Sequence, residues 1–183
     1  SQLVLDFYNL RRRQLKEVKP NLAHEIFAEL EQYFDVHIIT QNVDDLHERA
    51  GSKNVLHLHG ELKKVRSVKD ETQIFDWEKD CNLGDCDELG NQLRPHIVWF
   101  GEEVPALEEA IDITETADYF AVIGTSLQVY PAAGLIHYAK KATQKMLIDP
   151  KANTFNLPQE FELINASAEV GIQRFINKIT RLT

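Results

Sequence analysis

Residues 35–60 read Asp35-Val36-His-Ile-Ile39-Thr40-Gln41-Asn42-Val43-Asp44-Asp-Leu-His-Glu-Arg-Ala50-Gly51, a short linker, then Val55-Leu-His57-Leu-His59-Gly60. Val36 to Ile39 is a brief apolar run of the kind that forms a strand buried in a parallel sheet. It stops at Thr40-Gln41-Asn42, where a strand would hand over to a loop. Ligands of open α/β sheets sit beyond the carboxyl ends of the strands. The second run ends in His59-Gly60, where glycine lets the backbone turn or approach a ligand. Amides, a carboxylate and an imidazole are therefore expected to converge on one cleft. His57 and His59 alternate along a strand and point to the same side while it stays regular. From spacing alone, they could be a structural pair or two ligands of a metal hydrolase with Asp44 nearby.

Working outward, 183 residues suit one domain, or one domain with a smaller insertion. A hydrophobic content of 43% and a charged content of 27% are ordinary for a globular protein. The net charge of −9 argues against a nucleic-acid surface, and Arg11-Arg12-Arg13 is the only basic run. No apolar stretch is long enough to span a bilayer, so the default expectation is a cytoplasmic protein without a membrane partner. Two cysteines make no disulfide framework.

Leu3, Val4, Phe7 and Leu10 predict a helix over residues 2–16, and Leu22, Ile26, Phe27 and Leu30 a second over about 22–33. His24 reads as a surface or capping residue, and His47 as one bonding locally on a short helix. Residues 61–96 are dense in charge, with Ile74, Phe75 and Trp77 as the only strong apolar cluster, and read as a small appended module. Leu93 to Glu102 is a strand entering a loop, and residues 106–116 an acidic helix. Strands follow at Tyr119–Ile123, around Met146–Asp149 and around Phe161–Ile164, then a helix with Ile172, Phe175, Ile176 and Ile179 inward. The expected class is α/β, a Rossmann-like parallel sheet flanked by helices. Its parts are 1–60 (helix, strands and candidate catalytic motif), 61–96 (the module) and 97–183 (the rest of the sheet).

Thr40-Gln41-Asn42-Val43-Asp44-x-Leu46-His47-x-x-Ala50-Gly51, followed by His59-Gly60, resembles the signature of the sirtuins (Sir2 family), NAD-dependent protein-lysine deacylases. Further matches run down the chain. Phe7-Tyr8-Asn9-x-Arg11-Arg12-Arg13-Gln14-Leu15 resembles the helix of bacterial class III sirtuins, whose Tyr-x-x-Arg pair recognises succinyl or malonyl groups. Arg94-Pro95-His96-Ile97-Val98-Trp99-Phe100-Gly101-Glu102 is similar to the segment that lines the acyl-lysine tunnel. Gly124-Thr125-Ser126 with Val129-Tyr130-Pro131-Ala132-Ala133-Gly134 resembles the adenosine loop and the helix after it.

This resemblance implies that NAD is the cofactor, that acyl-lysine proteins or peptides are the partners of a monomer, and that His59 is the general base. His57 is then left as packing. Gln41, Asn42, Val43, Asp44, Gly124, Thr125, Ser126, Asp149 and Ala168 would bind the cofactor; Tyr8, Arg11, Val98, Phe100 and Gly101 would bind substrate. The acyl oxygen would attack C1′ of the nicotinamide ribose and nicotinamide would leave. His59 would then take a proton from a ribose hydroxyl, which attacks the imidate carbon, and water would release lysine and O-acyl-ADP-ribose. Asn42 would position ribose or water, Asp44 the nicotinamide carboxamide, and Gln41 the ribose.

The chain departs from the family in two respects. Where sirtuins place two cysteine pairs around zinc, Ser67 and Asp70 stand at the first pair, and only Cys81 and Cys86 remain of the second. No bound metal is expected, and the module should be held by Trp77, Phe75 and hydrogen-bonded turns. No G-x-G-x-x-G is present and the first residue is Ser1, so a first strand and Gly-rich loop are expected to precede it. A molecule that truly began at Ser1 would be expected to be unstable. A non-catalytic module binding NAD or ADP-ribose is therefore the second reading.

Overall fold

The computed structural model describes residues 1–180. Two compact units divide the chain: residues 1–20 with 38–104, and residues 21–37 with the chain from Pro105 onward.

The first unit opens with helix α1 (Gln2–Gln14). The strand expected at 36–39 lies slightly later, as β1 (Ile38–Thr40). After the short helix α3 (Leu46–Ala50), β2 (Val55–His57) pairs parallel with β1 in the register Thr40 opposite His57. Charge density hid regular structure between residues 60 and 97. There β3 (Gly60–Ser67) runs between two antiparallel neighbours, β4 (Ile74–Asp76) and β5 (Leu93–Ile97). Val65, Cys81, Leu93 and Leu5 of α1 form the core of this region, with Trp77 against them. Phe75 is not in that core, because every residue of β4, an edge strand, is exposed.

Helix α1 appears where the apolar spacing placed it, but that spacing does not mark its buried face. Leu3, Phe7 and Leu10 are exposed, while Leu5, Asn9 and Arg12 are buried. Asn9, 2% exposed, donates from Nδ2 to the Cys81 carbonyl (3.0 Å) and accepts the Cys81 N–H at Oδ1 (2.8 Å). Arg12 donates to the Leu62 carbonyl (2.6 Å) and to Asn9 Oδ1 (2.9 Å). The helix thus satisfies backbone groups that would otherwise be buried without partners.

In the second unit, α2 (Leu22–Leu30) starts at a capping box. Asn21 Oδ1 accepts the N–H of Ala23 and His24, and His24 Nδ1 faces the Asn21 N–H, the capping role expected of His24. Helix α4 (Leu107–Thr116) precedes β6 (Tyr119–Ile123). Then come β7 (Gln144–Asp149), β8 (Phe161–Asn165) and α5 (Ala168–Ile179). The three strands form a parallel sheet in the order β6-β7-β8. Met146, Ile148 and Ile164 pack with Ile172, Phe175 and Ile179 of α5 and with Ala23, Ile26 and Leu30 of α2. A Cβ on Gly171 would lie 2.1 Å from Ile148 Cγ2, so glycine lets α5 press onto β7.

Candidate active site

Four consecutive carbonyls at the end of β1 are each bound from residues 57–62. The Leu58 N–H donates to Thr40 O (2.9 Å) and the Leu62 N–H to Val43 O (2.8 Å). Between them, His59 Nδ1 lies 3.3 Å from Gln41 O, and His57 Nδ1 lies 3.1 Å from Asn42 O. Inside the tip, Thr40 Oγ1 accepts the Asn42 N–H (3.0 Å), and Asp44 Oδ1 accepts the Leu46 N–H (3.2 Å) at the entry to α3. Residues 40–44 are therefore a braced turn. Asn42 stands exposed on it, and Gln41, Val43 and Asp44 are half-buried.

The alternation of β2 does what its sequence implies. Leu58 is buried at 1% exposure, and the two flanking histidines both turn toward the tip. A carbonyl only accepts, so this contact calls for the ring proton on Nδ1, and the neutral tautomer that makes it has its lone pair on Nε2. That Nε2 has no hydrogen-bond partner among the described residues. Gly60 sets the ring's place in the chain. Its φ is +82°, and a Cβ there would stand 2.0 Å from His96 O.

His57 is not mere packing. Its Nε2 lies 2.7 Å from Glu48 Oε1 on α3 while Nδ1 faces Asn42 O. Both of its nitrogens are engaged elsewhere, so neither is left to share a metal with His59. Among the described residues, no three His, Cys, Asp or Glu side chains are grouped to hold a metal.

The Val98 N–H donates to His59 O (3.0 Å), which joins the predicted substrate segment to the histidine loop. Tyr8 stacks on Trp99 with ring centroids 6.5 Å apart, and both pack with Val43, Leu15, Leu62 and Ile97. Phe100 is 98% exposed, and Gly101 turns the chain with a φ of +89°. Arg11 is exposed, with its guanidinium 5.3 Å from the Phe7 ring centroid and a bond to Gln14 (3.2 Å). Tyr8, Gln41 to Asp44, His59 and Val98 are thus brought together in one unit, and Arg11 is exposed one helical turn from Tyr8 on α1.

Glu102 is a residue that reading the sequence passed over. It accepts Arg94 at 2.7 and 3.0 Å, Arg66 at 3.2 Å and the Trp99 N–H at 2.9 Å. These bonds hold its carboxyl down at about 2, the pairing with Arg94 contributing most. The available signal was two arginines in strands flanking a Phe-Gly-Glu turn.

In the second unit, the predicted cofactor residues share the carboxyl edge of the parallel sheet. The Gly124 N–H donates to Ile148 O (3.0 Å), and Thr125 Oγ1 accepts the Leu127 N–H (3.3 Å). Ser126 is exposed. Asp149, at the end of β7, accepts the Lys151 N–H (2.7 Å), and Ala168 begins α5 just after β8. This is where a parallel α/β sheet receives ligands.

Where sirtuins bind zinc, the residues present do not fit it. Ser67 Oγ donates to Asp87 (2.7 Å), which also accepts from Asn91 and from the Leu89 N–H. Asp70 accepts from Thr72 and Gln73. Cys81 is buried, its thiol pushed up to about 11 by burial, while Cys86 is exposed. Paired hydrogen bonds occupy the place of a tetrahedral thiolate site.

Comparison with known proteins agrees with this geometry. The family model described as Sir2 family matches residues 2–131. The NAD-dependent protein deacylase of Helicobacter pylori (strain ATCC 700392 / 26695) is 57% identical over 181 residues, 99% of this chain and 79% of the relative. A solved Sir2 homologue in complex with ADP-ribose superposes with a TM-score of 0.85 at 37% identity, over 100% of this chain and 76% of its own. A Sir2 structure with a p53 peptide and NAD+ gives a TM-score of 0.73 at 34% identity, over 90% of this chain and 72% of its own. The chain belongs to the Sir2 family.

Proposed function

We propose that this chain is an NAD-dependent protein-lysine deacylase that releases nicotinamide and O-acyl-ADP-ribose. The observation that carries the reading is His59, anchored by Nδ1 to the Gln41 carbonyl with Nε2 left to accept a proton. NAD, when bound, supplies a ribose carbon with nicotinamide as its leaving group. His59 Nε2 accepts the proton of a ribose hydroxyl, a step suited to an imidazole at neutral pH. Asn42, exposed at the tip, orients ribose or water; Asp44 holds the carboxamide and Gln41 the ribose. In the second unit, Gly124, Thr125, Ser126, Asp149 and Ala168 receive the adenosine end.

The substrate is an acyl-lysine in an extended peptide lying along Val98 to Gly101, whose backbone offers strand-like pairing. Tyr8 and the exposed Arg11 favour an acyl group that ends in a carboxylate, since guanidinium makes paired charge-assisted bonds to it. The relative from Helicobacter pylori, named a deacylase, supports the reaction class.

Incubation of the full-length protein with NAD and an acyl-lysine peptide should release nicotinamide. His59→Ala should cut turnover by about 10² to 10⁴ with the fold intact. Near-normal turnover by that variant would remove His59 from the mechanism. On succinyl- against acetyl-lysine peptides, Arg11→Met should lose about tenfold or more in kcat/KM for the succinyl substrate alone. Equal loss on both would count against a carboxylate-reading Arg11.

A further inference from the structure

His57 takes no part in the reaction just outlined, yet its ring is bound at both ends. Its side chain is 7% exposed, with Nε2 2.7 Å from Glu48 Oε1 and Nδ1 3.1 Å from Asn42 O. A carboxylate and a carbonyl are both acceptors. Each ring nitrogen of His57 therefore has an oxygen within hydrogen-bond distance, one on α3 and one on the tip. Glu48 is fixed on α3, and the Asn42 carbonyl lies in the tip that would receive NAD.

We propose that His57, anchored by Glu48, is a positioning residue for the cofactor-binding tip. It pins the Asn42 carbonyl, and with it the direction of the Asn42 side chain, before NAD arrives. The inference rests on the deacylase reading, because there Asn42 meets the ribose. Thr40, Gln41 and Val43 have their own carbonyl partners. Losing His57 therefore frees one carbonyl of the tip and leaves the strands paired. Asn42, the exposed residue of the tip, then has more freedom to turn, and binding must order it again, at a cost in affinity.

In the full-length protein, His57→Phe keeps a ring and removes both donors. NAD affinity measured by calorimetry should fall about tenfold. Glu48→Leu should give a similar fall, and the double variant should fall no further than either single change, because both act through one contact chain. Glu48→Gln, which keeps an acceptor, should recover most of the affinity. In turnover assays KM for NAD should rise by the same factor, while KM for the acyl-peptide stays within about twofold.

Unchanged NAD affinity in folded His57→Phe, losses that add in the double variant, or equal losses on NAD and peptide would overturn the proposal. Should His57→Phe not fold, Glu48→Leu decides alone. Nicotinamide release by the wild type tests the deacylase reading separately, since calorimetry needs no turnover.

Discussion

Arg94 grips Glu102 with both terminal nitrogens, at 2.7 and 3.0 Å, while its guanidinium lies 3.5 Å from the centroid of the Trp99 ring. The pair closes the turn between Trp99 and Glu102, and the Trp99 N–H completes the closure. Geometry of this kind is stronger than an ordinary surface ion pair, because it is bidentate, stacked and partly enclosed.

Glu102→Gln should therefore destabilise the protein by about 2 kcal/mol at pH 7, a figure already reduced for solvent screening. Among the described residues, Arg66, 3% exposed, would then keep Glu71 alone as a counter-charge. The carboxyl of Glu102 is depressed from its usual 4.5 to about 2. Its contribution is present above pH 4.5 and is lost as the pH falls toward 2. Urea titrations from pH 6 to pH 2 should show a shallower loss of stability in the variant than in the wild type.

Asn9→Ala should cost about 2–3 kcal/mol, since it strands the Cys81 N–H and carbonyl inside the protein. Asn9→Asp should rescue little, because a carboxylate cannot donate to the Cys81 carbonyl. Denaturant midpoints at constant slope would measure both.

Metal removal should leave the protein unchanged. The melting temperature with a strong zinc chelator should match that without it. Asp87→Ala should lower the temperature by several degrees, through loss of bonds from Ser67, Asn91 and the Leu89 N–H. Those bonds, led by Ser67, hold the Asp87 carboxyl at about 2, so its support also fades as acid protonates it. Melting that collapses on chelation would restore a metal to the module.

The two thiols should react unequally. Cys81 is enclosed, and burial raises its thiol to about 11, so little thiolate exists at pH 8. Cys86 is exposed. Mass spectrometry after brief alkylation of the native protein should find the label on Cys86, and on Cys81 only after denaturant is added.

Much of this molecule could be read from residue order. The apolar runs at 119–123 and 161–164 mark strands, and the pattern of Ile172, Phe175 and Ile179 marks the inward face of the last helix. The polar tip at 40–44 and His59 meet, as their places at the ends of two strands imply. The apolar spacing located helix α1 but not its buried face, where Asn9 and Arg12 join Leu5 and serve backbone groups 50 or more residues away. Hydrophobic periodicity carries no sign of such a face. The sheet at 60–97 was obscured for a similar reason: Arg66 and Arg94 sit within its strands, paired to Glu102, and read as solvent-facing charge. The role of His57 depends on a partner one helix away, and spacing alone could not supply it.

The interlock of four successive carbonyls with residues 57–62 makes the site intolerant of small changes in chain length on one side only. An extra residue in the turn at 51–54 can be absorbed before the strand begins. One inserted between Val55 and His57 would rotate both imidazoles to the opposite face and put Leu58 where a proton acceptor belongs. Natural length variation in this loop should therefore collect ahead of Val55, and the last six residues before β3 continues should keep a fixed count.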